Sequence, residues 1–350
     1  MSAAEGVAVV LVVAITLYAW SGLADYGAGL WDLLAGPTGV GRRARELVDA
    51  SVTPIWEANH VWLIFILVVA WTGFGAAFAS IMSTLFIPLS LAVLGIVLRG
   101  AGFAMRKDAV HARRRTLAGR VFGLGSILTP FFLGAALGGV AAGRIPVGNA
   151  AGDQVSSWWN PVSLTAGLIA VTMGAFLAAV YLVAEARRRG LPTLVRYFQL
   201  RAGVAAAVAL LAGIAAAVAL RADNRQMFDR VVQRSIPLLV VGVLALAATF
   251  LLARRGVVRG LRALGALGVA ALIWAWAVAQ QPYLLPFTLT VADGAGAPAT
   301  LTWLLVWSLI AVVLVVPALA LLYTLDQRGE DLGEDPLTSR PEPQRPLRSP

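Results

Sequence analysis

Apolar residues run through this chain in long blocks, without the amphipathic or alternating patterns of a water-soluble fold. A helix that crosses a bilayer needs about 20 mostly apolar residues, because roughly 30 Å must be covered at about 1.5 Å per residue. Nine stretches meet that requirement, over approximately 6–30, 57–79, 82–104, 119–142, 162–184, 202–220, 236–253, 260–280 and 302–324. They predict an all-α integral membrane protein of about nine transmembrane helices. Residues 1–325 then form a polytopic transmembrane domain. Residues 326–350, with six acids, four arginines and five prolines, read as a disordered cytoplasmic tail. The stretch 202–220 is almost pure Ala, Val, Leu and Gly, a span with no chemistry of its own. The first stretch is not a cleavable signal peptide. It lacks a basic n-region, and Trp20, Asp25 and Trp31 carry it past a short h-region.

Composition agrees. Hydrophobic residues make up 59% of the chain and charged residues 13%, against roughly 45–50% and about 25% in soluble proteins. So few charges could not cover a soluble surface. The net charge is +10, from 28 basic and 18 acidic residues. With the amino terminus placed outside, 23 cations fall on the cytoplasmic side. Only Arg144, Arg221, Arg225, Arg230 and Arg234 remain outside. That bias predicts the amino terminus out and the carboxyl terminus in. It also accounts for the basicity without nucleic acid, since no aromatic-interleaved basic patch is present. Cysteine is absent, which removes disulfides, thiolate catalysis, iron–sulfur clusters and covalent c-type haem attachment.

An ionisable side chain inside a span costs about 2.5–3.5 kcal/mol on insertion scales, so each needs a partner, a water-filled cavity or a function. The first helix carries Asp25 and, near its end, Asp32. The second opens with Trp56-Glu57-Ala58-Asn59-His60-Val61-Trp62, where Glu57 and His60 share a face. The third ends at Arg99. The alternating topology brings Asp25, Glu57, Asn59, His60 and Arg99 to one membrane level on the cytoplasmic side. Two readings stand side by side: an ion-pair network that closes the helix ends, and a proton-uptake site built around His60, whose ordinary pKa of about 6.5 suits proton exchange.

Other chemistry is sparse. The histidines are His60 and His111, the latter in the basic loop Arg106–Arg120. Met82, Met105, Met173 and Met227 read as packing or loop residues, so neither a haem with paired axial ligands nor a metal site is expected on this chain alone. No Walker loop, nucleophile elbow or Rossmann glycine pattern occurs. Gly134–Gly138 and Gly139–Gly143 are small-xxx-small pairs for close helix packing. The end of the eighth stretch runs Trp274, Trp276, Gln280, Gln281, Pro282, Tyr283, Leu284, Leu285, Pro286. Its residue types suit an interfacial anchor.

Four of these strings together resemble subunit II of the cytochrome bd ubiquinol oxidases. Asp25-Tyr26-Gly27-Ala28-Gly29 resembles the family's Asp-Leu-Gly-x-Gly. Trp56 to Trp62 resembles Trp-Asp-Gly-Asn-Glu-Val-Trp. Arg99-Gly100-Ala101-Gly102-Phe103-Ala104-Met105-Arg106 resembles Arg-Gly-x-x-Phe-Glu-x-Arg. Gln280 to Asp293 resembles the block Gln-Tyr-Pro-Tyr-Leu-x-Pro-x-x-Leu-Thr, which makes Gln280, Pro282 and Tyr283 family-motif positions with Trp56 and Trp62. Weaker echoes are Trp159-Asn160-Pro161 and Tyr323-Thr324. There are departures: Glu57 stands for Asp, His60 for Glu, Ala104 for an acid, and Gly22 for an acid three residues before Asp25.

The resemblance implies a nine-helix subunit in a bacterial plasma membrane, packed against a haem-bearing subunit I, with lipid and small accessory subunits as further partners. It implies haem b and haem d in that partner, quinol as substrate of the complex, and no catalytic residue or cofactor on this chain. A role in assembly, with a cytoplasmic proton path or oxygen access, follows from it. The competing reading of the buried charges is a proton- or cation-coupled transporter.

Overall fold

The computed structural model describes residues 2–52, 56–108 and 112–332, and leaves out the side chains of 52–58, 107–113, 316, 319, 320 and 322–332. Helix α1 (Ala3–Leu33) starts in a capping box, Ser2 accepting from the Glu5 amide and Glu5 from the Ser2 amide. There follow α2 (Gly39–Val52), α3 (Trp56–Gly73), α4 (Gly75–Thr84), α5 (Phe86–Asp108), α6 (Ala112–Ala141), α7 (Pro161–Arg188) and α8 (Pro192–Asp223). A short α9 (Arg225–Arg230) passes through a π-helical turn (Val231–Ser235) into α10 (Ile236–Arg255). Then come α11 (Leu261–Gln280), a hairpin of β1 (Tyr283–Leu285) and β2 (Leu289–Thr290), and α12 (Pro298–Leu332).

Among the described residues, eight helices are long and apolar enough to cross a membrane. They answer to eight of the nine expected stretches. The stretch expected over 57–79 differs: it is broken at Phe74 into α3 and α4. Glycines on both sides of Phe74 weaken the helix there. The Gly73 carbonyl, left without its intrahelical donor, accepts from the Gly296 amide at 2.8 Å. The expected first cytoplasmic loop also differs, because it contains α2. Ala44, Leu47 and Val48 on α2 are buried against the bundle while Arg42, Arg43 and Asp49 face out, which is the spacing of an amphipathic helix. The expected tail begins inside α12, and residues 333–350 lie outside the described residues.

Helix α7 is the centre of the bundle. In its most apolar stretch 67% of residues are buried, against 11% in α8 and in α12, so the latter two are peripheral. Lipid offers little hydrophobic drive between helices, and association rests on close backbone approach. A Cβ on Gly27 of α1 would lie 1.9 Å from the Gly174 carbonyl of α7, and one on Gly125 of α6 would lie 2.4 Å from the Gly95 carbonyl of α5. These crossings set α1, α5, α6 and α7 in register. The expected packing at Gly134 and Gly138 holds too, each lying against the α7 backbone. Two apolar clusters flank the crossings. One surrounds α7 with Leu177, Val180, Phe198, Leu47 and Val48. The other joins the start of α1 to the hairpin through Val7, Phe74, Leu285 and Leu301.

Candidate functional site

Asp25 and Arg99 meet inside the bundle. An Arg99 terminal nitrogen lies 2.6 Å from Asp25 Oδ1, with both side chains 4% exposed. The same nitrogen reaches the Asp25 carbonyl at 3.4 Å, and the other donates to Ser126 Oγ on α6. The guanidinium also lies over the rings of Phe122 and Tyr26, 4.4 and 5.1 Å from their centres. Every face of this cation is thereby occupied, as a desolvated charge requires. Sequence explains the fit. Gly27 lets α1 approach α7, and a Cβ at Gly29 would strike Ser126 Oγ at 2.1 Å. The Asp-Tyr-Gly-Ala-Gly string thus supplies the anion, a ring for the cation and two close approaches.

Around the pair lies a polar network within apolar helices. The Tyr18 and Tyr26 hydroxyls are 3.2 Å apart. Ser21, one turn before Asp25, donates to Leu17 O at 2.7 Å and lies 2.5 Å from Asn59 Oδ1 on α3. Asn59 is 2% exposed, and its Nδ2 has no hydrogen-bond partner among the described residues. His60 is half-buried and close enough to act electrostatically on Asp25. The structure therefore brings together Asp25, Asn59, His60 and Arg99. The side chains of Trp56 and Glu57 lie outside the described residues, as does His111. Trp62 packs edge-on against Phe65, ring centres 6.3 Å apart.

A second charged layer lies toward α2. Arg106 holds Asp32 at 3.0 and 3.2 Å and reaches Asp49 on α2 at 3.0 Å, while Arg45 stands 4.0 Å from Asp32. Asp32 is 3% exposed, whereas Asp49 is 43% exposed. Desolvation pushes the Asp49 carboxyl up to about 6, with Asp32 adding to the rise and Arg106, Arg115 and Arg45 opposing it. Sequence reasoning missed Ser21, Ser126, Asp49 and α2. The i, i+4, i+7, i+8 spacing of Val40, Ala44, Leu47 and Val48 was the signal for α2.

The remaining family-motif residues sit at the opposite end of the bundle. Gln280 is buried and its Nε2 donates to Leu284 O at 2.8 Å. The Gln281–Pro282 bond is cis. Tyr283 packs against Phe287 at 5.4 Å. Among the described residues His60 is the sole histidine, and Met173 is packed in the α7 cluster. No group of three metal-ligating residues occurs among them either.

Three comparisons bear on this arrangement. The sequence profile of cytochrome bd terminal oxidase subunit II matches residues 4–326. Cytochrome bd ubiquinol oxidase subunit 2 of Bacillus subtilis is 31% identical over 117 residues, covering 31% of this chain and 32% of that protein. Cytochrome bd-I ubiquinol oxidase subunit 2 of Escherichia coli K12 is 25% identical over 166 residues, covering 45% and 42%. The chain thus matches less than half the length of these curated relatives. The fold matches a chain of the bd oxidase from Geobacillus thermodenitrificans with a TM-score of 0.76 and 23% identity, over 93% of this chain and 98% of that one.

Proposed function

The chain belongs to the cytochrome bd terminal oxidase subunit II family, and we propose that it is the non-haem subunit of a quinol:oxygen oxidase, packed on a haem-bearing subunit I in a bacterial membrane. The haems b and d belong to that partner in this reading, in keeping with the poor supply of axial ligands here. Lipid and small accessory subunits complete the assembly, and the chemistry of oxygen reduction takes place outside this chain. Neither the fold nor the family match favours the transporter, and the buried charges gather at one end of the bundle, away from the mid-membrane position typical of transport sites.

The topology that fits is nine crossings, with α3 and α4 together making the second. The arginine bias supports placing the Asp25–Arg99 end in the cytoplasm. Oxygen reduction consumes protons, and this end offers groups that could pass them. Arg99 holds the Asp25 carboxyl in place at 2.6 Å. His60 supplies an imidazole at the same level. The buried Asn59 Nδ2 would be satisfied by a water molecule, which could relay a proton toward the Tyr18–Tyr26 hydroxyls. Glu57 stands on the same stretch of sequence.

The observation that carries this reading is the buried Asp25–Arg99 pair beside Asn59 and His60, on the strings that identify the family. It is tested by purifying the chain with its membrane partner. A complex whose spectrum shows b- and d-type haem supports the subunit assignment, and a haem-free chain acting alone refutes it. In that complex, His60→Ala should lower quinol oxidase turnover with haem content intact. Unchanged turnover removes the proton path and leaves a structural network.

A further inference from the structure

Four of the five cations assigned to the side away from Asp25 lie within residues 221–234. Positive charge on that face runs against the topological bias of the rest of the chain. The structure shows what two of them do. Arg230 and Arg234 donate to the same atom, the Gln281 carbonyl oxygen, at 2.8 and 3.0 Å. Arg230 also lies over the rings of Tyr283 and Phe287, 5.1 and 5.4 Å from their centres.

Two like charges therefore share one neutral acceptor. Among the described residues neither arginine has a carboxylate within ion-pair distance. Of the acids in the neighbouring segments, Asp223 holds Arg144 and Asp293 bonds to Thr290, while the exposed Asp229, next to Arg230 in sequence, lies beyond ion-pair distance of both arginines. A guanidinium carries five N–H donors in a planar fork, so the bonds to Gln281 leave most of them unused. The place is where α9 and the π-helical turn meet the end of α11, which is marked by Trp274 and Trp276, the aromatic signature of a bilayer boundary.

We propose that Arg230 and Arg234 form an anion site for a phosphate group, of the kind carried by the headgroup of an anionic phospholipid. The paired forks match phosphate oxygens, which accept strong charge-assisted bonds. The Tyr283–Phe287 rings fix Arg230 so that little side-chain freedom is lost on binding. The site goes beyond the oxidase reading, and its test rests on that reading only for the complex in which it is measured.

The test is native mass spectrometry of the complex after stepwise detergent delipidation, then re-addition of phosphatidylglycerol or phosphatidylcholine. The wild-type complex should retain at least one phosphatidylglycerol more than Arg230→Gln/Arg234→Gln, and phosphatidylcholine should not replace it. Arg230→Lys/Arg234→Lys, which keeps the charge, should retain part of the difference, and an unchanged haem spectrum certifies folding in each variant. If 10-fold molar excess of inorganic phosphate over lipid displaces the phosphatidylglycerol, the site is a free-phosphate site. Equal lipid retention in wild type and the Gln variant overturns the proposal. So does a Gln variant that keeps its lipid but loses its partner subunit, which would make the arginines a contact for an acidic protein segment.

Discussion

Arg106 grips Asp32 with both terminal nitrogens, at 3.0 and 3.2 Å, and it does so seven residues after Arg99 on α5, just as Asp32 follows Asp25 by seven on α1. Seven residues are about two helical turns. The two helices thus present matched anions and cations at the same spacing. The pairs lie in very different surroundings, so they should answer differently to substitution.

Removing Arg99 alone strands a buried carboxylate, and losing one partner of a buried pair costs about 3–5 kcal/mol. Arg99→Met should therefore sharply lower the thermal midpoint of the complex. Asp25→Asn/Arg99→Met should regain much of that loss, because the uncompensated charge is gone. A double variant no more stable than Arg99→Met would mean that Ser126, Phe122 and Tyr26 matter more than the charge.

Asp49 makes stability depend on pH. Its carboxyl sits at about 6 in the fold, above about 3.9 for an unperturbed Asp. Between those values the folded state holds more protons than the unfolded one, so the contribution of Asp49 is full below about pH 4 and is lost as pH rises through about 6. Asp49→Asn should remove this dependence. The thermal midpoint difference between wild type and variant, followed from pH 4.5 to 7.5, should shift against wild type as pH rises. A constant difference refutes it.

The glycines of the motifs should separate into two kinds. A Cβ on Gly27 would collide with backbone at 1.9 Å, whereas one on Gly100 meets nothing within 4 Å. Gly27→Ala should cost about 1–3 kcal/mol or more through overpacking. Gly100→Ala should be neutral, or stabilise by up to about 1 kcal/mol through helix propensity. Yield and thermal midpoint of the complex distinguish them.

At Gly22, where the family pattern has an acid, the space for a side chain is already taken. A Cβ there would sit 2.9 Å from Asn59 Nδ2, so an acid cannot be restored without moving that amide. Gly22→Asp should impair assembly, and Gly22→Asp/Asn59→Ala should recover part of it. Equal yields of the two variants would show that the crowding is not the obstacle.

Much of this was legible in the sequence because lipid imposes a length and a polarity rule that long apolar blocks display directly. Asp25, His60 and Arg99 stood out because charges are rare in such blocks, and alternating topology was enough to put them at one level. Ser126 and Ser21 did not stand out. A hydroxyl in a helix can bond its own backbone, as Ser126 does to Phe122 O, and so leaves no trace in hydropathy. Helix α2 was hidden because its apolar face is only four residues wide and lies between arginines. The break at Phe74 was hidden because hydropathy does not register backbone freedom, although Gly73 and Gly75 mark the place.

That break ties an early segment to a late one. The Gly73 carbonyl finds its donor on Gly296, just ahead of α12. During synthesis the Gly73 carbonyl cannot meet its Gly296 donor until the chain is nearly finished. A product cut short before α12 would therefore carry a local defect near its second crossing, a mark of incompleteness that membrane quality-control proteases could read.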